Sequence, residues 1–212
     1  MGMLTGNYSG NPTPREIGGG VFENEVQGLT VERMSTVIVS VMEALGTYEA
    51  INDLLLYEDM TPLDNDKSRP IYDGEKMTGQ QVFDEGLVYR QGSKYQRIFP
   101  YPFNPEAQES DSVFIRVYYA EGRNDSSGKI VQGRLHIDIV CSMDYWVIND
   151  NAHKLPLIRP YAIMSRINER IGKNNTFGYN LGNPSGFMHL AVNQRFESLR
   201  LYYNTNDIGL NG

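Results

Sequence analysis

Apolar residues recur with two different periods along this chain, and the change of period marks out its elements. Val31, Met34, Val37, Ile38, Val41, Met42 and Leu45 fall at helical spacing, with Thr30 as N-cap, Glu32 in the first turn and Gly46 at the stop. Tyr48, Ile51, Leu54 and Leu55 after Thr47 fit either a second, shorter helix or a helix running into a strand, and the helix is favoured. Between Val113 and Cys141 the period becomes two. On the return half Leu135, Ile137, Ile139 and Cys141 alternate with Arg134, His136, Asp138 and Val140, and the outgoing half answers with Val113, Ile115, Val117 and Tyr119. Two such runs around a tip of Asn, Asp, Ser and Gly predict a long β-hairpin with one apolar and one largely polar, solvent-facing side.

Helical spacing returns at Ile163, Met164, Ile167 and Ile171, after Pro160 and before Gly172, which predicts a helix over about 160–171 with Arg166, Glu169 and Arg170 off its buried stripe. The end of the chain predicts one or two strands, the last over about 196–203, with a turn near Asn193. A sheet with one apolar face needs a layer to cover it. The expected fold is therefore α+β: an antiparallel sheet with a long hairpin, packed against two or three helices, with an extended N-terminal arm and long loops. The expected organisation is an arm over residues 1–28, a single domain over 29–205 and a short tail over 206–212.

Two stretches resist both periods. Residues 1–28 are rich in Gly, Asn, Pro, Thr and Ser, with Val21, Phe22 and Val26 as isolated apolar residues, so they are either a disordered tail or an arm that lies on a neighbouring subunit. From Glu58 to Ser112 Pro62, Pro70, Gly74, Gly79, Gly86 and Gly92 interrupt every pattern, though 81–90 leaves room for a short strand or a helical turn. Within this region Pro100, Pro102 and Pro105 alternate with Phe99, Tyr101 and Phe103. Proline bars a central strand, so this segment is expected to run along a surface with its aromatics tucked beneath it. So much irregular chain points to a subunit ordered by packing in an assembly.

Composition narrows the function classes. Hydrophobic residues make up 40% of the 212, less than a compact enzyme of this size carries, so part of the burial is expected on a partner. The net charge is −7 and no basic run appears, which argues against a phosphate-tracking grip on nucleic acid. No apolar run is long enough to span a bilayer, and the first residues lack the basic and apolar regions of a secretory signal. Synthesis in the cytosol is the expectation. The lone Cys141 excludes an intrachain disulfide and reads as a small buried hydrophobe.

Candidate chemistry is sparse. His136 and Asp138 share one side of a strand and form half of a metal site, with no third ligand nearby in sequence. His153 and His189 lack a neighbouring nucleophile. Gly18, Gly19 and Gly20 lack the Lys-Ser/Thr that makes a phosphate loop. The Asn-x-Ser/Thr triplets at Asn7, Asn124 and Asn174 carry no weight without secretion. No catalytic, cofactor or metal residue is assigned.

The order of these elements resembles a known family. A helix with an apolar stripe, then LLLYEDMTPLDND, RIFPYPFNP, the FIRVYY and LHIDIVC hairpin, RPYAIMSRINERIG and a closing strand is similar to the neck and tail-terminator proteins of tailed bacteriophages. That resemblance implies a helix-backed antiparallel sheet, a closed ring of subunits, often hexameric, around the DNA channel, and no catalytic residue. It implies a structural virion protein at the head-tail junction, present in the host cytoplasm during assembly, with other neck and tail proteins as partners, DNA touched only weakly and no membrane. The interface is expected at Val21 and Phe22 of the arm, at Phe99, Tyr101 and Phe103, at Arg123, Asn124 and Asp125 of the hairpin tip, and at Tyr145 and Trp146 where the hairpin ends. A non-viral assembly module and a small hydrolase with a dispersed site are the competing readings. Native mass separates them.

Overall fold

Val113 lies opposite Cys141, Ile115 opposite Ile139 and Tyr119 opposite Leu135, the register that apolar alternation demands if one side is to be buried. The computed structural model describes residues 31–63, 71–72, 75–76, 96–102, 113–124, 130–150, 155–172, 181 and 183–206. Their elements are α1 (Val31–Gly46), α2 (Glu49–Leu56), β1 (Ile71–Tyr72), β2 (Glu75–Lys76), β3 (Ile98–Phe99), β4 (Val113–Asn124), β5 (Ile130–Ser142), β6 (Val147–Asp150), β7 (Leu155–Ile158), α3 (Arg159–Gly172), β8 (Gly186–Ala191) and β9 (Phe196–Asn206). The architecture is α+β. The expectations placed on the N-terminal arm, on residues 81–90, on Phe103 and on Asp125 lie outside the described residues.

Five strands form the main sheet in the order β3-β4-β5-β9-β8. All neighbours are antiparallel except β3, which runs parallel to β4 with Ile98 opposite Ile115. The proline-flanked segment, expected to run along a surface and not as a central strand, adds two residues to the sheet edge. It adds no more because Pro100 and Pro102 cannot donate to a ladder. The closing strand extends to Asn206, beyond the expected end near Tyr203.

The three helices cover one face. Val37, Val41 and Leu45 of α1, Ile51, Leu54 and Leu55 of α2, and Ile163, Ile167 and Ile171 of α3 pack into one core with Val113, Ile115, Val117, Leu135, Ile137, Ile139 and Leu201. Each fully buried aliphatic side chain contributes about 1.5–3 kcal/mol, so this single layer accounts for the fold. Met164 sits half-buried at the margin of the stripe.

Capping fixes how the helices meet. At the end of α1 the Thr47 hydroxyl donates to Glu43 O at 2.8 Å, Asn52 Nδ2 donates to Gly46 O at 2.9 Å, and Arg170 Nε, from α3, donates to Ala44 O at 3.1 Å. At the end of α2 the guanidinium of Arg159, also from α3, donates to Leu54 O at 3.4 Å, to Tyr57 O at 2.9 Å and to Asp59 O. Carbonyls left open at a helix C-terminus carry partial negative charge, and cations satisfy them. Arg159 is wholly buried for this purpose, which the sequence reading did not anticipate.

The other face of the sheet departs from expectation. His136 and Asp138, read as a solvent-facing pair, are 9% and 3% exposed. Arg116 and Ser198 are buried beside them, and Phe99, Phe114, Val140 and Phe196 form a second, smaller apolar cluster on that side. At the base of the hairpin both faces are interior.

The hairpin exits at a corner. Met143–Tyr145 form a single 3-10 turn with the Ser142 hydroxyl accepting from Asp144 N. The chain then makes the hairpin β6–β7, in a stretch for which no strand was expected, with Val147 opposite Ile158. The β8–β9 connection turns where expected. Asn193 Oδ1 accepts from the backbone N–H of Arg195 and Phe196, at 2.8 and 2.9 Å, an Asx turn that explains the choice of residue.

Candidate functional site

The most polar cluster among the described residues sits on the sheet face away from the helices. Alternation along β4, β5 and β9 puts Tyr118, His136, Asp138 and Arg200 side by side. Arg200 grips both carboxylate oxygens of Asp138, Nε to Oδ1 at 2.7 Å and Nη2 to Oδ2 at 2.9 Å, and donates to the Tyr118 hydroxyl at 2.6 Å. Tyr118 in turn donates to Asp138 Oδ2 at 2.9 Å. Arg116 donates to Pro102 O from the next position along β4.

Electrostatics hold this cluster in fixed charge states. Burial, with the adjacent carboxylate, pushes the Tyr118 hydroxyl up to about 12. Burial and then the Arg200 charge lower the His136 pKa, so its ring stays neutral, edge-on to Tyr118 at 5.6 Å. The bond to Asp138 raises Arg200 further. A carboxylate with both oxygens engaged by a guanidinium offers no general base. The arrangement is a structural clasp between β4, β5 and β9. No group of three or more His, Cys, Asp or Glu among the described residues is placed to hold a metal ion. Of the pair His136 and Asp138, Asp138 is engaged by Arg200 and Tyr118, whereas His136 Nδ1 is buried with no hydrogen-bond partner among the described residues.

Toward the hairpin tip the same face opens into a shallow polar groove of about 190 Å³, walled by Glu121, Arg123, Gln132, Arg134 and Asn204. Arg134 is bridged to Glu121 at 2.6 Å and to Asn204 Oδ1 at 3.2 Å, over the Tyr202 ring. Arg123 is exposed on this wall.

The proposed contact residues fall in separate places. Phe99 is 2% exposed, against Phe114 and Tyr101; it is committed to the subunit's own core and offers no surface to a neighbour. Tyr101 is half-buried beside it. Arg123 and Asn124 stand at the far end of β4, about 24 Å along the strand from Arg116. Tyr145 and Trp146 are half-buried at the corner, Tyr145 under the Arg159 guanidinium at 5.6 Å and Trp146 against His189 at 5.8 Å. His189 is also bridged to Glu197 at 2.7 Å.

The larger exposed apolar surface lies elsewhere. β8 presents Phe187 and Met188, 55% and 46% exposed, on its two opposite faces. Tyr161 of α3 meets Phe187 edge-on at 6.5 Å. The hairpin β6–β7 adds the facing pair Val147 and Ile158, and Leu155 at 62%. A signal for β8 was present in the sequence: Phe187-Met188 breaks the alternation that a half-buried strand keeps. No helix among the described residues is long and apolar enough to cross a membrane, so this surface is not that of a membrane-spanning helix.

The chain belongs to the YomW family, whose model matches residues 49–205, from the start of α2 to the residue before the end of β9. The family name is that of a phage protein and associates the chain with bacteriophage. No curated protein and no solved structure matches the chain.

Proposed function

We propose that this member of the YomW family is a structural virion subunit of the head-tail junction of a tailed phage, assembling into a closed ring through which DNA passes, and that it has no turnover. The observation that carries the reading is the open apolar margin of β8, with Phe187 and Met188 exposed on opposite faces at one edge of the sheet. An open strand edge flanked by exposed apolar side chains marks an interaction surface. The phage association of the family and the order of elements, which resembles neck and tail-terminator subunits, support reading that surface as a contact within a particle.

Charge and chemistry support the same reading. A net charge of −7 in a ring subunit favours passage of DNA over binding it, because a basic lumen would release counterions and hold the duplex. In the polar cluster on the sheet, both carboxylate oxygens of Asp138 are engaged by Arg200. The partners under this reading are copies of the chain and adjacent neck and tail proteins, in the virion and, before that, in the host cytoplasm.

The test is native mass of the isolated protein and negative-stain imaging of it, alone and with phage particles lacking it. A ring, or a ring formed on the particle, is the expected result. A strictly monomeric chain in both settings would remove the proposal.

A further inference from the structure

The two edges of the main sheet are built differently. At one edge β3 is only two residues long and is followed by Pro100 and Pro102, so it accepts no further strand. At the other edge β8 runs six residues, GFMHLA, in unbroken register with β9, with no lysine, carboxylate, proline or bulge among them. Among the described residues no second strand pairs with it. Half of its backbone N–H and C=O groups therefore face outward between two exposed apolar side chains. Because β3 is closed, β8 cannot be completed by the β3 edge of another copy. It calls for an extended segment.

The segment outside the structure that fits is the one before α1. We propose that the outer edge of β8 receives, as an added strand, the residues around Phe22 of a neighbouring copy. In an extended strand Phe22, Asn24 and Val26 point one way and Val21, Glu23 and Glu25 the other. The first set extends the apolar surface of Phe187 and Tyr161. The second sets Val21 beside Met188, on a face where β8 itself carries no carboxylate.

The ring reading selects a neighbour. α1 packs on β3 and β4, whereas β8 lies at the opposite end of the sheet, about 19 Å away across four strand spacings. In a head-to-tail ring the β3 side of one copy faces the β8 side of the next, which is the heterologous contact that closes a ring. The roughly 30 residues before Val31 reach up to about 100 Å, ample for the gap. This docking rests on the ring reading above.

Complementation between full-length variants tests it. One variant, Phe22→Asp with Val26→Asp, keeps the acceptor edge and disables the donor; the other, Phe187→Lys with Met188→Lys, does the reverse. Each alone is expected to run at the single-subunit mass of 24.0 kDa, and an equal mixture at twice that mass, with amide exchange at residues 186–191 slowed only in the mixture and in the wild type. Thermal melts check that both stay folded, and Phe187→Ser with Met188→Ser replaces the lysine pair if its melt falls. Self-association of the donor-disabled variant would show β8 pairing with β8 and overturn the proposal. Slow exchange at β8 in a monomeric wild type would show the arm docked on its own sheet and overturn it too. A wild-type ring that both variants still form would reject the docking and leave the ring reading standing. A wild type that assembles through this contact into open chains would uphold the docking and remove the ring.

Discussion

Arg159 and Arg170 stand at opposite ends of α3, and each reaches the final carbonyls of a different helix. Arg159 binds Leu54 O, Tyr57 O and Asp59 O beyond α2, and Arg170 binds Ala44 O in α1. One helix thus sets the endpoints of the other two. The contributions differ because Arg159 is wholly buried and Arg170 is half-buried. Arg159→Ala strands several buried carbonyls and is expected to destabilise by about 3 kcal/mol or more. Arg170→Ala leaves its carbonyl within reach of water and is expected to lose about 1 kcal/mol. Denaturant midpoints rank the two, and equal losses would remove the cap assignment.

The clasp at Asp138 makes a second prediction. Removing one partner of a buried ion pair leaves the other uncompensated, at about 3–5 kcal/mol. Asp138→Ala is expected at the low end of that range, because Arg200 keeps part of its side chain in solvent. Asp138→Ala combined with Arg200→Met is expected to recover more than half of the loss. A double-mutant cycle from urea melts measures the coupling, and strict additivity would count against the pair.

Asp53 gives the chain a pH-dependent term. Burial pushes its carboxyl up from 3.8 to about 6, and its place near the C-terminal end of α2 sets it by carbonyls that repel a negative charge. The folded chain therefore holds this proton more tightly than the unfolded chain. Its stabilising contribution is complete below pH 3.8 and is lost as pH rises through about 6. Asp53→Asn is expected to stabilise the protein by about 1 kcal/mol near pH 7, a figure reduced for solvent screening. Melts of both proteins across that interval should converge at its acid end; a gain that persists there would assign the effect to packing.

Ile167 and Leu155 test the assignment of core and surface. Ile167 is fully buried beneath α3 and Leu155 is 62% exposed on β7. Ile167→Asp places an unpaired carboxylate in the core and is expected to abolish folding, since the loss is of the order of a whole domain's stability, about 5–15 kcal/mol. Leu155→Asp is expected to change stability by about 0.5 kcal/mol or less. Circular dichroism melts compare them directly.

Local pattern recovered what local physics decides. The stripe from Val37 to Leu45, the Gly46 stop, the facing of Ile115 with Ile139 and the turn at Asn193 follow from spacing or from a side chain bonding its own backbone. The reading went astray where a partner is distant in sequence. Asp138 looked solvent-facing because Tyr118 and Arg200, which make its burial tolerable, stand on two other strands. Arg159, just before Pro160, carries no local signal of burial because its acceptors lie on α2 and the turn after it. The strands β6 and β7 were hidden by Pro156, which an edge hairpin admits. Of the expected contact residues, Phe99 failed for a related reason: aromatics between prolines show a need for burial, and here the subunit itself supplies it.

The chain's one thiol lies in this interior. Cys141 has no exposed surface, packs within the helix-covered core, and burial pushes its thiol up to about 12. Near pH 8 only on the order of one molecule in ten thousand would carry the reactive thiolate in the folded state. Reaction with a thiol reagent therefore waits for the core to open, and its rate reads the opening equilibrium without any added label. Labelling is expected to be slow for the native chain, faster in Asp138→Ala and immediate in denaturant. Cysteines placed on the outer surface would react long before it, so a single time course separates surface accessibility from the breathing of the core.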